Sequence, residues 1–183
     1  MKTELQTFDN STFDKEAGSI KIAVWLILNA LIFRNPLIFV QGLKKWLLRV
    51  FGAQLGKGLV IKPGVNIKFP WKLKIGDNVW IGENVWIDNL DYVSIGDDVC
   101  ISQGALLLTG NHDYTKTGFD YRNAPIKIED GVWIGAKAVV CPGVVCQSHS
   151  ILTVNSVATF DSEAYQIYQG NPAKKVRKRI ING

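Results

Sequence analysis

Histidine and cysteine are both scarce in this chain. Only His112 and His149 are present, too few for a three-histidine zinc centre, so no metal is expected. Cys100, Cys141 and Cys146 are odd in number and lack metal-ligand spacing, which also argues against a disulfide framework. Scattered thiols of this kind suit a reducing cytoplasm. Long apolar runs are missing too. "IAVWLILNALIF", Ile22 to Phe33, covers twelve residues before Arg34, Asn35 and Pro36, whereas a spanning helix needs roughly 20. The leader "MKTELQTFDNSTFDKEAGS" is polar and has no apolar centre, so no cleavable signal is expected. Excess charge of one sign is confined to one place. Lys174, Lys175, Arg177, Lys178 and Arg179 fall within six residues, and the other 16 bases balance 16 acids. That pattern excludes a broad nucleic-acid footprint and leaves room for one local phosphate site near the C-terminus.

What the chain does have is a period. In "IGDNVWIGENVWIDNL", Ile75 to Leu90, one six-residue phrase is given twice and begun a third time. Openers fall at Leu55, Ile61 and Ile67, at Ile75, Ile81 and Ile87, and at Ile95, Ile101 and Leu107. They resume at Ile128, Ile134, Val140, Cys146 and Leu152. The fifth place is small or branched, as at Val65, Val79, Val85, Ala105, Ala138 and Ser150, and the second is often Gly. Six is neither the helical period nor that of a plain strand. It fits a short strand that turns a corner every six residues, with the opener inward and Gly or Asn easing the bend. Three such strands close a triangular coil, and coils stack in parallel at about 4.8 Å. About five coils make a prism on the order of 24 Å long, and its ends need caps.

The pattern divides the chain into three parts: an N-terminal helical, capping segment over 1–52, the coils over 53–165, and a basic extension over 166–183. In the first part, Leu43, Trp46, Leu47 and Val50 recur at helical spacing with Lys44, Lys45 and Arg49 beside them. Such a pair of apolar stretches caps the open prism, or touches a membrane surface through apolar and cationic faces. In the last, Gly170, Asn171 and Pro172 mark a turn into a short tail or helix. The coils break once at length, over 113–127, between a unit ending at His112 and the opener Ile128. Irregular loops of this length are commonly functional. A histidine held at the edge of one has the proton affinity to deprotonate a hydroxyl near neutral pH. His149 has no adjoining loop and reads as structural.

These phrases resemble the hexapeptide repeat of left-handed β-helix acyltransferases. "TGNHDYT", followed by "PIKIEDGVWIGAKAVVCPGVV", looks like the segment of sugar O-acetyltransferases that carries their catalytic histidine. With "LLRVFGAQLGKG", "FPWKLKIGDNVWIG" and "GNPAKKVRKRI", the set is similar to the colanic-acid and capsular-polysaccharide branch. The resemblance implies a mainly β, left-handed parallel β-helix, a homotrimer, and acetyl-CoA lying between two prisms. It implies transfer of acetyl to a sugar or polysaccharide-precursor hydroxyl, with His112 as general base and no Ser or Cys nucleophile. Asn89 matches an acceptor-side asparagine, although Asn also suits a tight corner. Asp113 either orients the histidine or belongs to the loop. Trp133, Gly135 and Ala136 match the pantetheine side, with Trp80 at the same repeat place as Trp133. Lys174 and Arg177 match the residues that meet coenzyme A phosphates.

Three rivals remain open or fail on residues. Zinc carbonic anhydration fails for want of ligands. N-acylation of an amino-sugar nucleotide needs the same base and stays open, as does a non-catalytic β-helix scaffold. The functional expectation is a cytoplasmic acetyltransferase, in peripheral contact with the membrane if the N-terminal segment faces lipid.

Overall fold

The computed structural model describes residues 2–11 and 13–182. Its coils form a left-handed parallel β-helix, five full turns and the start of a sixth. Face A stacks strands that begin at Gln54, Leu73, Val93, Ile126 and Val145. Face B stacks those at Val60, Trp80, Cys100, Trp133, Ile151 and Gln166, and face C those at Asn66, Trp86, Leu106, Val139 and Val157. Register places opener on opener. Leu55, Ile75, Ile95, Ile128 and Cys146 form one column. Ile67, Ile87, Leu107, Val140 and Ala158 form another. Except for half-buried Leu55, these openers and the fifth-place residues are buried. Burying one such aliphatic side chain is worth roughly 1.5–3 kcal/mol, set against roughly 1–2 kcal/mol for ordering its backbone. Only a column that buries nearly every opener is therefore stable.

Gly and Asn ease most of the corners, as expected, and they do so from one fixed place. Left-handed backbone sits at the fourth place of the unit: Gly58, Asn78, Asn84, Asp98, Gly131, Lys137, His149 and Asn155 all have positive φ. The second-place glycines answer to stacking instead. A Cβ on Gly135 would sit 2.6 Å from the Thr153 carbonyl carbon in the next coil. Third-place aspartates tie coil to coil, with Asp97 accepting from the Asp77 amide at 2.7 Å and Asp130 from the Asp97 amide at 2.8 Å.

An open coil leaves unpaired backbone groups along its edge, which must find partners. Helix α1 (Ser19–Leu28, continued as a π-helical turn Asn29–Phe33) and helix α2 (Gln41–Val50) cover the first coil. Gln41 imitates a neighbouring strand: its Nε2 donates to the Ile61 carbonyl at 2.8 Å and its Oε1 accepts from the Ile61 amide at 2.9 Å. Trp25 Nε1 donates to the Ile67 carbonyl at 2.9 Å. Among the described residues, no helix is long and apolar enough to cross a membrane.

At the other end the basic segment is neither loose nor helical. Ala173–Lys178 forms a strand antiparallel to Gln166–Gly170, which itself continues face B beside Ile151–Leu152. The open face-B edge draws the segment into strand pairing, and Tyr168 turns inward. Arg179 ties its end down, donating from Nη1 to the carbonyls of Gly131 at 2.8 Å and His149 at 3.1 Å.

Candidate active site

All three insertions fall at one corner, where face C passes into face A. The first holds the 3-10 turn Pro70–Lys72, the second runs over 89–92, and the third is the loop after Leu108. Face A resumes after that loop at Ile126. Thr109 anchors its start, donating from Oγ1 to the Asp88 carbonyl at 2.9 Å and accepting from the Asp91 amide. The loop folds as a narrow ribbon, His112 pairing antiparallel with Tyr121 and the Asp113 amide donating to the Asp120 carbonyl.

His112 is half-buried in aromatic surroundings. Its ring stacks on Phe119 at 4.4 Å and lies 5.0 Å from Tyr121 and 5.8 Å from Phe8. Nδ1 is 2.6 Å from the Phe119 carbonyl oxygen. A carbonyl oxygen only accepts, so Nδ1 carries the proton. In the neutral ring Nε2 then holds the free lone pair, and it has no hydrogen-bond partner among the described residues.

Asp113 does not touch the imidazole. Its Oδ1 accepts from Thr115 Oγ1 at 2.6 Å and from the Thr115 amide at 3.1 Å. Those bonds, the side-chain one foremost, hold its carboxyl below the usual carboxylate range. Asn89 is fully buried one coil below, with Nδ2 donating to the Phe69 carbonyl at 2.6 Å and Oδ1 accepting from the Phe69 amide at 3.0 Å. Its amide braces the corner under the loop.

One contributor was not visible in the sequence. The polar leader is a strap laid along this same corner, with the 3-10 turn Leu5–Thr7 as its one regular element among the described residues before α1. The Glu4 amide donates to the Thr117 carbonyl at 2.9 Å, and Phe8 and Phe13 pack on Tyr121. Farther along, Glu16 meets Lys72 at 3.2 Å and accepts from the Tyr92 hydroxyl. Two phenylalanines in an otherwise polar leader were the available signal.

The remaining site residues lie on another face. Trp133 is exposed on face B in one outward column with Trp80, Cys100, Ile151 and Ile167, and its Nε1 donates to Ser102 Oγ at 2.9 Å. Arg177 pairs opposite Ile167, and an open hollow of about 470 Å³ is lined by Trp133, Ile151, Ile167 and Arg177. Lys174 pairs opposite Gln169, two places along the same strand and so on the same face. Gly135 and half-buried Ala136 form the following corner, their amide and carbonyl bonded to Leu152 and Asn155 in the next coil. Within one chain, Trp133 and Arg177 come together, while His112 stands at a different edge of the prism. His149 has a left-handed backbone, φ 59°, and its ring lies 4.7 Å from Tyr165. A side chain on Gly131 would collide with that ring, so the two corners are matched as a structural pair.

No family model matches the chain. It is 35% identical over 164 residues to WcaF of Escherichia coli K12, named as a colanic acid biosynthesis acetyltransferase, covering 89% of this chain and 90% of that protein. The chain belongs to the hexapeptide-repeat acetyltransferases. A solved member of the family from Vibrio cholerae, in complex with acetyl coenzyme A, superposes with a TM-score of 0.79. The two are 25% identical, and the match covers 95% of this chain and 93% of that one. The galactoside O-acetyltransferase of Escherichia coli K12 is 30% identical over 136 residues, 72% of this acetyltransferase and 66% of the relative.

Proposed function

We propose that this acetyltransferase moves acetyl from acetyl-CoA to a hydroxyl of a sugar or polysaccharide precursor, by direct attack with His112 as general base. The observation that carries the reading is the Nδ1 bond to the Phe119 carbonyl, which leaves Nε2 as the proton acceptor. Nε2 takes the hydroxyl proton as the oxygen attacks the thioester carbonyl carbon. The carbon–sulfur bond then breaks, an ester forms, and the proton leaves with the coenzyme A thiol. A base must come within about 2.6–3.2 Å of the proton-bearing atom, and the stacked ring is held ready for that. The names of the galactoside and colanic-acid relatives support a sugar acceptor. Incubation with acetyl-CoA and candidate sugars, followed by mapping of the acetyl position, tests it. An ester product is expected; an amide as the sole product would contradict it.

On this reading Trp133, Gly135 and Ala136 form the pantetheine wall, and Lys174 and Arg177 meet the coenzyme A phosphates. Asn89 serves the acceptor side by bracing the corner, and Asp113 by shaping the loop. Because His112 and the Trp133–Arg177 hollow lie at different edges, we infer a homotrimer whose grooves join one copy's loop to its neighbour's face B. Light scattering should report three chains, and a fully active monomer would contradict this. Lys174→Ala with Arg177→Ala should raise the KM for acetyl-CoA far more than for its 3′-dephospho form. A charge-assisted contact is worth roughly 1.5–3 kcal/mol, about tenfold or more in affinity. Equal effects on both donors would show that these residues do not read the 3′-phosphate. The proposal also holds the enzyme in the cytoplasm, in peripheral contact with the membrane through its N-terminal segment.

A further inference from the structure

We infer that the base of the prism, formed by α1 and α2, docks on an anionic lipid bilayer with both helices lying in the headgroup plane. This deepens the membrane part of the proposed function and rests on that part alone. The first observation is which way the apolar residues point. Helix α1 and its π-helical turn bury Trp25, Asn29 and Phe33 against the first coil, and α2 buries Lys44, Leu47 and Leu48. Their other faces are directed away from the prism and are apolar too. Ile20 is 82% exposed, Ile27 59% and Leu31 62%, with Leu37 at 78% between the helices and Trp46 and Val50 at 58% on α2. A solenoid cap needs one apolar face, against its coil, and a polar outer one. This cap is apolar on both.

The second observation is charge. From residue 17 to residue 76 the chain has no Asp or Glu, and ten Lys or Arg. Lys68 and Lys72 have carboxylate partners, and Lys44 is buried with Nζ on the Lys62 carbonyl. Arg34, Lys45 and Arg49, which belong to the cap, have no carboxylate partner among the described residues. An apolar face ringed by unpaired cations fits a surface that offers hydrocarbon beneath anions. A second copy of the chain fits poorly, because its own base carries the same uncompensated positive charge. Helix α1 with its π-helical turn has fifteen residues, about 22 Å at most, and α2 has ten, about 15 Å, both short of a hydrocarbon core of about 30 Å, so the helices lie on the bilayer rather than through it.

The test uses the full chain and sedimentation with vesicles of phosphatidylcholine, alone or mixed with phosphatidylserine. Binding to the mixed vesicles is expected. It should fall about tenfold or more on pure phosphatidylcholine, or when salt shortens the screening length from about 10 Å to about 3 Å. Arg34→Glu with Lys45→Glu and Arg49→Glu should abolish the preference for anionic lipid. Leu31→Asp with Trp46→Asp should lower binding by about tenfold or more, and circular dichroism checks that each variant is folded. Equal binding to both vesicle types overturns the proposal, as does binding to neither. Self-association through the base without vesicle binding overturns it in favour of a second copy. Acetyl transfer is not read in this experiment, so failure here leaves the catalytic reading standing.

Discussion

Trp25→Ala is expected to lower the unfolding free energy by about 3–5 kcal/mol, the range for removing a buried large aromatic. Trp25 is fully buried between the cap and the first coil, with its ring centroid 5.2 Å from those of Phe33 and Phe51. Its indole N–H satisfies the Ile67 carbonyl, an edge group that no further strand can reach. The substitution opens a cavity and orphans that carbonyl at the same time. Those two losses separate in Trp25→Phe, which keeps most of the packing and drops only the donor, at about 1–3 kcal/mol. Urea denaturation of the three proteins measures both. A loss below about 1 kcal/mol for Trp25→Ala would show that the cap is held by something other than this residue.

The coils were legible because their chemistry repeats. An opener that must point inward between two other coils has to be apolar, so Ile61, Ile81, Ile101 and Ile134 announce the column they form. The fourth place was not legible in the same way. Its left-handed backbone is met mostly by Gly and Asn, as at Gly58, Asn78, Asn84 and Gly131, but Asp98, Lys137 and His149 meet it too and blur the mark. The second-place glycines were visible but assigned to the bend, because their need comes from the next coil rather than from their neighbours in sequence. The C-terminal strand was hidden for another reason. "AKKVRK" shows charge rather than alternation, and only the open edge beside Gln166–Gly170 makes it a strand.

At the site, local features were readable and distant contacts were not. His112 could be singled out by its place at the long loop. The Phe119 carbonyl that sets its tautomer lies seven residues on, in a loop with no periodicity. The strap that brings Phe8 to the imidazole crosses more than a hundred residues of chain. Asn89 suits an acceptor contact or a tight corner equally well in sequence, and its hydrogen bonds reach the Phe69 backbone twenty residues away. Trp133 and Arg177 could be matched singly, whereas their meeting in one hollow depends on the stacking of face B and its final antiparallel strand.

The largest kinetic effect is expected from His112→Ala. A positioned general base contributes about 10²–10⁴-fold to rate, which is about 2.7–5.4 kcal/mol of barrier. The imidazole is held by a main-chain carbonyl and by stacking on Phe119, so the substitution removes the base without removing the loop's backbone ribbon. Donor affinity should change little, since Trp133 and Arg177 are at another edge of the same chain. His149→Ala is the control: its ring serves a corner beside Tyr165, and a folded variant should turn over near normally. The most direct measurement is steady-state turnover of His112→Ala with acetyl-CoA and the acceptor identified by product mapping. A fall of about a hundredfold or more, with the KM for acetyl-CoA nearly unchanged, is the predicted result. Turnover equal to that of the unsubstituted protein would contradict His112 as the base.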